Sequence, residues 1–102
     1  MHNLKSKELC DAIVLWSGWG TSSFPSRDER RVLDYFGEEA GAGLLAIIKQ
    51  LETDFYETQA HQTTAGLAEM GRLACEDFRL KHPEADDVIV KTLAWCYSYD
   101  FK

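Results

Sequence analysis

Apolar residues return every three or four positions along almost the whole chain, and that spacing commits it to amphipathic helices packed around a shared core. Leu9, Ala12, Ile13 and Trp16 form the first stripe, on a helix that begins near Asn3 or Ser6 and is stopped by Gly18 and Gly20. The turn-rich stretch from Ser17 to Ser26 (SGWGTSSFPS) reads as a loop, with Pro25 disfavouring helix just before it. Ser26 followed by Glu29 has the spacing of a capping box and opens a short second helix, which carries Val32, Leu33 and Phe36 and closes at Gly37. The third helix, from about Glu38 to Thr58, aligns Leu44, Ile47, Ile48, Leu51 and Phe55 in a narrow stripe and is the expected centre of the core. Gly41 and Gly43 lie in its first turns, each costing roughly 1 kcal/mol against alanine, which points to close approach of a neighbouring helix there.

A fourth helix runs from Thr63 or Thr64 to Lys81, with Leu67, Met70, Ala74 and Phe78 on one face, and His82-Pro83 ends it. The last, from about Asp86 to Tyr97, buries Val88, Ile89, Leu93, Trp95 and Cys96. At its end Trp95, Tyr97, Tyr99 and Phe101 alternate with Cys96, Ser98 and Asp100, a period of two that also suits a strand. No partner strand is in sight, so the pattern reads as an extended aromatic tail lying on the bundle. The expectation is an all-α single domain over residues 1–102, a bundle of about five helices. A chain of 102 residues hides roughly 60–70% of its unfolded surface on folding, enough for one core and too little for two domains.

Charge narrows the function classes. Eleven Lys/Arg against 17 Asp/Glu repel a phosphate backbone and an anionic membrane surface, so no nucleic acid and no membrane are expected as partners. The apolar runs Ala12 to Trp16 and Leu44 to Ile48 are far shorter than the roughly 20 residues of a membrane span, and no apolar stretch follows the N-terminus before Asp11, so no signal peptide is expected. Cys10, Cys75 and Cys96 are odd in number and contain no CxxC, which reads as small hydrophobes in a reducing cytoplasm.

The chemistry-bearing patterns are absent. His2, His61 and His82 form no HExxH or ExxH pair, and Glu57 with His61 supplies only two ligands, so no metal is expected. The segment from Gly37 to Gly43 lacks the spacing of a phosphate loop and places Glu38 and Glu39 where a phosphate would sit, so no cofactor is expected. No nucleophile elbow or Cys/His pairing occurs, and no catalytic residue is assigned.

The acids become informative once each is set against the helix dipole, which favours negative charge in a first turn and opposes it in a last turn. Asp28, Glu29, Glu38, Glu39, Glu84, Asp86 and Asp87 lie at helix starts, while Glu76 and Asp77 have Arg79 and Lys81 nearby. Asp34, Glu52, Asp54 and Glu57 remain, at helix ends and with no basic residue between Lys49 and Arg72. Residues 28–60 hold eight acidic against three basic residues, most of the net charge of −6. Acids that break a local rule without compensation mark a candidate docking face for a basic protein, with Tyr56, Trp19 and Phe24 as aromatic anchors.

In size, acidity and helical content the chain resembles the small acidic immunity proteins of bacteria, which neutralise secreted nuclease toxins. That resemblance implies a cytoplasmic, monomeric inhibitor that binds a basic toxin domain through opposite charge. Two other readings stay open. One is a small enzyme or ligand-binding domain with a pocket among Trp16, Trp19, Trp95 and Tyr99; the other is a helical secretion chaperone or adapter.

Overall fold

A computed structural model describes residues 4–57 and 66–100, apart from the side chain at position 67. Among the described residues the chain forms five helices and no strand: α1 Lys7–Ser17, α2 Glu29–Phe36, α3 Glu38–Tyr56, α4 Leu67–Lys81 and α5 Asp87–Asp100. The all-α bundle expected from periodicity is therefore what the chain builds. The expected start of the fourth helix at Thr63 or Thr64, and the turn holding His61, lie outside the described residues.

Local chemistry sets the helix ends. Ser6 stands in extended backbone and its hydroxyl accepts from the Leu9 N–H at 3.1 Å, which places the start of α1. Gly18 adopts a left-handed conformation (φ 83°) and its N–H donates to the Val14 carbonyl, closing the same helix. α2 starts differently from the capping-box expectation. Arg27 has φ +49°, which excludes it from a helix, so Asp28 becomes the cap and its carboxylate accepts from Arg30 N–H at 3.0 Å. The Ser26 hydroxyl is turned instead toward the Ser17 carbonyl and Arg31.

Gly37 alone joins α2 to α3, and its φ of 92° lets the chain reverse in one residue. α2 then folds back along α3: Gly41 lies beneath Leu33, and Lys49 reaches Glu29 at 2.7 Å. A side chain at Gly41 would meet the Leu33 Cα at 3.0 Å and the Val32 carbonyl at 3.2 Å, so the close approach expected there is present. At Gly43, among the described residues, it is not, because none of them lies within 4 Å of where a Cβ would stand.

The core-facing residues of α3 are Gly41, Leu45, Ile48, Leu51 and Phe55, with Leu44 and Ile47 half-buried at the edges of the stripe. Phe55 stands at the centre, its ring 5.2 Å from Phe78 of α4 and 5.6 Å from Tyr97 of α5. Full burial of such a ring is worth about 1.5–3 kcal/mol before packing geometry is counted.

The aromatic end of the chain differs from the extended tail that its alternation suggested. α5 continues through Tyr97 and Tyr99 to Asp100; Phe101 lies outside the described residues. The reason is burial. Cys96 and Tyr97 are both fully enclosed, and only a helix satisfies their backbone groups without a partner strand. Ile89, Val90, Thr92 and Leu93 complete a wide buried arc, and Val88 and Trp95 are half-buried at its margins.

Candidate functional site

The acids singled out by the dipole argument fall into three settings, and each has an intramolecular partner. Glu52 accepts from Arg27 Nε at 2.6 Å, and the Nη2 of the same guanidinium reaches the Tyr56 hydroxyl and Asp100, both at 2.8 Å. The Tyr56 hydroxyl in turn donates to Asp100 at 2.5 Å. Arg27 thus ties the loop after α1 to the last turns of α3 and α5, and its guanidinium carbon lies 5.9 Å from the centre of the Trp16 ring. Burial works against the charge on Arg27, but its bonds to Glu52 and Asp100 outweigh that and hold its pKa above the ordinary range. Burial, joined by the bond to Asp100, pushes the Tyr56 phenol well above its usual value, so the hydroxyl stays protonated and can donate.

The second setting lies at the C-terminus of α3, facing the end of α4. Asp54 meets His82 Nε2 at 2.7 Å and accepts from Gln50 at 2.9 Å. Lys81 Nζ donates to Glu57 at 3.1 Å and to the Asp54 carbonyl at 2.9 Å. Desolvation opposes the Asp54 charge, yet the bonds from His82 and Gln50 and the nearby cations hold its carboxyl below the usual range. The positive charge that the end of α3 lacks along its own sequence is supplied across the bundle by α4.

Asp34 is in the third setting. Arg30, one turn earlier on α2, bonds it at 2.9 Å and also bonds Glu38 at 2.7 Å. The expectation of partnerless acids is therefore corrected: the partners come from the loop, from α4 and from the preceding turn of α2. Exposure now separates them. Asp34 and Glu57 show 67% and 61% of their side chains to solvent, whereas Glu52 and Asp54 are mostly covered.

The structure brings Glu52, Tyr56 and Glu57 together around a shallow recess of about 440 Å³ shared with Arg27 and Thr53. Asp34 lines a different edge, on α2. Trp19 is half-buried with its ring against Trp95 at 5.3 Å, and Phe24 is exposed, 6.4 Å from the ring of Tyr99. Trp16 is a core residue, so these rings meet one another or the core.

Two residues that the sequence pattern left aside matter here. Arg27 carries no motif; its role depends on partners 25, 29 and 73 positions away. Tyr35 is 70% exposed and stands beside Asp34, its ring edge-on to Phe36 at 4.8 Å. Tyr35 follows Val32 by three positions, so helical spacing puts it near the apolar face and hides its exposure. Among the described residues no group of three or more His, Cys, Asp or Glu could hold a metal ion, and no helix is long and apolar enough to cross a membrane. Comparison with protein families, with curated proteins and with solved structures gives no match.

Proposed function

We propose that the chain is a cytoplasmic, monomeric binding protein of the immunity type, which docks on a basic toxin domain, a nuclease by its charge, and neutralises it. The observation that carries this reading is the charge of the α2–α3 hairpin. Residues 28–57 hold eight acidic against three basic residues, and Arg27 and Lys81 leave that balance negative. Such a field steers a cationic partner toward the hairpin and speeds association.

The geometry also divides labour among the acids. Glu52 and Asp54 are spent on holding the bundle, while Asp34, Glu38 and Glu57 face solvent. One guanidinium, Arg30, serves both Asp34 and Glu38, and exposed pairs of this kind are worth about 1 kcal/mol or less, so a partner's lysines or arginines exchange with it at small cost. Tyr35 beside them offers the amphipathic aromatic surface that anchors interfaces.

The test is affinity capture from the source organism at low and at high salt, followed by kinetics with the captured protein. A basic nuclease that is released by salt, and whose association slows roughly tenfold when Asp34→Lys and Glu38→Lys are combined, is the expected result. An acidic or neutral partner, or an association rate indifferent to salt and to both reversals, overturns the reading.

A further inference from the structure

The glycines of α3 open a question that internal packing does not answer. Glycine disfavours a helix relative to alanine, so each one inside a helix calls for a reason. Gly41 has one in the backbone of α2 above it. Gly43 faces the other way, is exposed, and has no described residue where its side chain would be. Ala46, three positions on, is also exposed, so the same stripe of α3 presents a smooth floor rather than a row of side chains.

That floor belongs to a groove of about 500 Å³. Gly43, Ala46, Ile47, Gln50 and Leu51 of α3 form one side, with Gln50 the one polar side chain among them, and Leu4, His82 and Glu84 form the other. Its lining is mainly apolar, and among the described residues no lysine or arginine contributes to it. Glu84 stands on the far wall and is half exposed. Glu39, one turn before Gly43 on the same stripe, extends the acidic character at the N-terminal end. His82 carries Asp54 on its Nε2, so the polar wall is bounded by carboxylates.

We infer that this groove receives the apolar face of a cationic amphipathic helix belonging to the protein partner. The inference rests on the basic partner argued above and names where its anchor goes. Gly43 and Ala46 let a second helix backbone come close, the groove takes its apolar side chains, and Glu39 and Glu84 meet the lysines or arginines that flank them. The contact that no described residue makes at Gly43 is then supplied by the partner.

The probe is a stapled helical peptide with leucine on one face and lysine on the other, titrated into the isotope-labelled protein and followed by amide chemical shifts. Two control peptides replace its lysines by glutamate or its leucines by serine. The expected result is saturable binding with the largest shifts at Gly43, Ala46, Ile47 and Leu51, and a loss of roughly tenfold or more with either control. Ala46→Trp and Gly43→Leu each fill the floor and are expected to abolish the shifts. Gly43→Leu replaces a poor helix former by a good one, which keeps the fold safe, and circular dichroism verifies it. Shifts confined to Asp34, Tyr35 and Glu38 would overturn the groove while leaving the basic-partner reading intact. Equal binding of the glutamate peptide would remove the charge selection and overturn the cationic occupant. Concentration-dependent association of the protein alone, centred on the groove, would show that a second copy fills it, and would likewise overturn the inference. No binding of the lysine peptide at the groove would overturn the inference, and the basic-partner reading would still stand or fall on the capture experiment above.

Discussion

Gly41 and Gly43 stand two positions apart on α3 and about 200° apart around its axis, and the two sides of the helix they occupy are finished in opposite ways. On the Gly41 side, α2 lies directly on the backbone, with Leu33 and Val32 at contact distance, and the buried stripe runs on through Leu45, Ile48 and Leu51 to Phe55. On the Gly43 side, the helix faces open space over small residues, bounded by Leu4 and the chain around His82 and Glu84. The same amino acid, in the same helix, has an internal cause in one place and, among the described residues, none in the other.

Three pairs of substitutions test this contrast. The largest effect is expected from truncating each side in turn. Phe55→Ala removes a fully buried ring that touches Phe78 and Tyr97 and should cost about 3–5 kcal/mol in urea denaturation. Ile47→Ala, at the groove, should cost about 1 kcal/mol or less. Comparable losses would mean that the open side is packed more tightly than the structure shows.

Next come the charges. Arg27→Met strips a guanidinium from the half-buried cluster of Glu52, Tyr56 and Asp100 and should destabilise by about 1–3 kcal/mol. Arg30→Ala removes exposed pairs to Asp34 and Glu38 and should stay within about 0.5 kcal/mol. If thermal unfolding ranks the two variants the other way, the division between structural and steering acids fails.

The effect most telling in sign is at the glycines. In Gly41→Ala an overpacking cost of about 1–3 kcal/mol competes with a helix gain of roughly 1 kcal/mol, so the melting temperature should fall. Gly43→Ala has only the gain, and should raise the melting temperature by about 4–8 °C. Shifts of the same sign would erase the distinction between the two sides.

Much of this architecture was legible in the sequence because it depends on local rules. Ser6 as a cap, Gly37 as a break and the stripe ending in Phe55 are set by neighbours within a turn or two. What was not legible has long-range causes. Arg27 displaced the cap from Ser26 to Asp28 through a backbone conformation that no spacing announces. The acids at the end of α3 looked uncompensated because Lys81 and His82 reach them from another helix, 24 to 28 positions away. The alternation after Trp95 suggested an extended tail, and only the enclosure of Cys96 and Tyr97 by the rest of the bundle decided for helix. Tyr35 was hidden for the converse reason, since its spacing from Val32 matches a core position and its exposure follows from how α2 is docked.

The guanidinium of Arg27 has a kinetic consequence. Its bonds span 25, 29 and 73 residues of chain, and the last of them, to Asp100 at the end of α5, closes only once the final helix is seated. A bond completed only with the last helix is expected to be absent from the folding transition state and to slow escape from the native state instead. The Arg27–Asp100 arm is then a latch: it should add little to how fast the bundle assembles and more to how long it stays assembled.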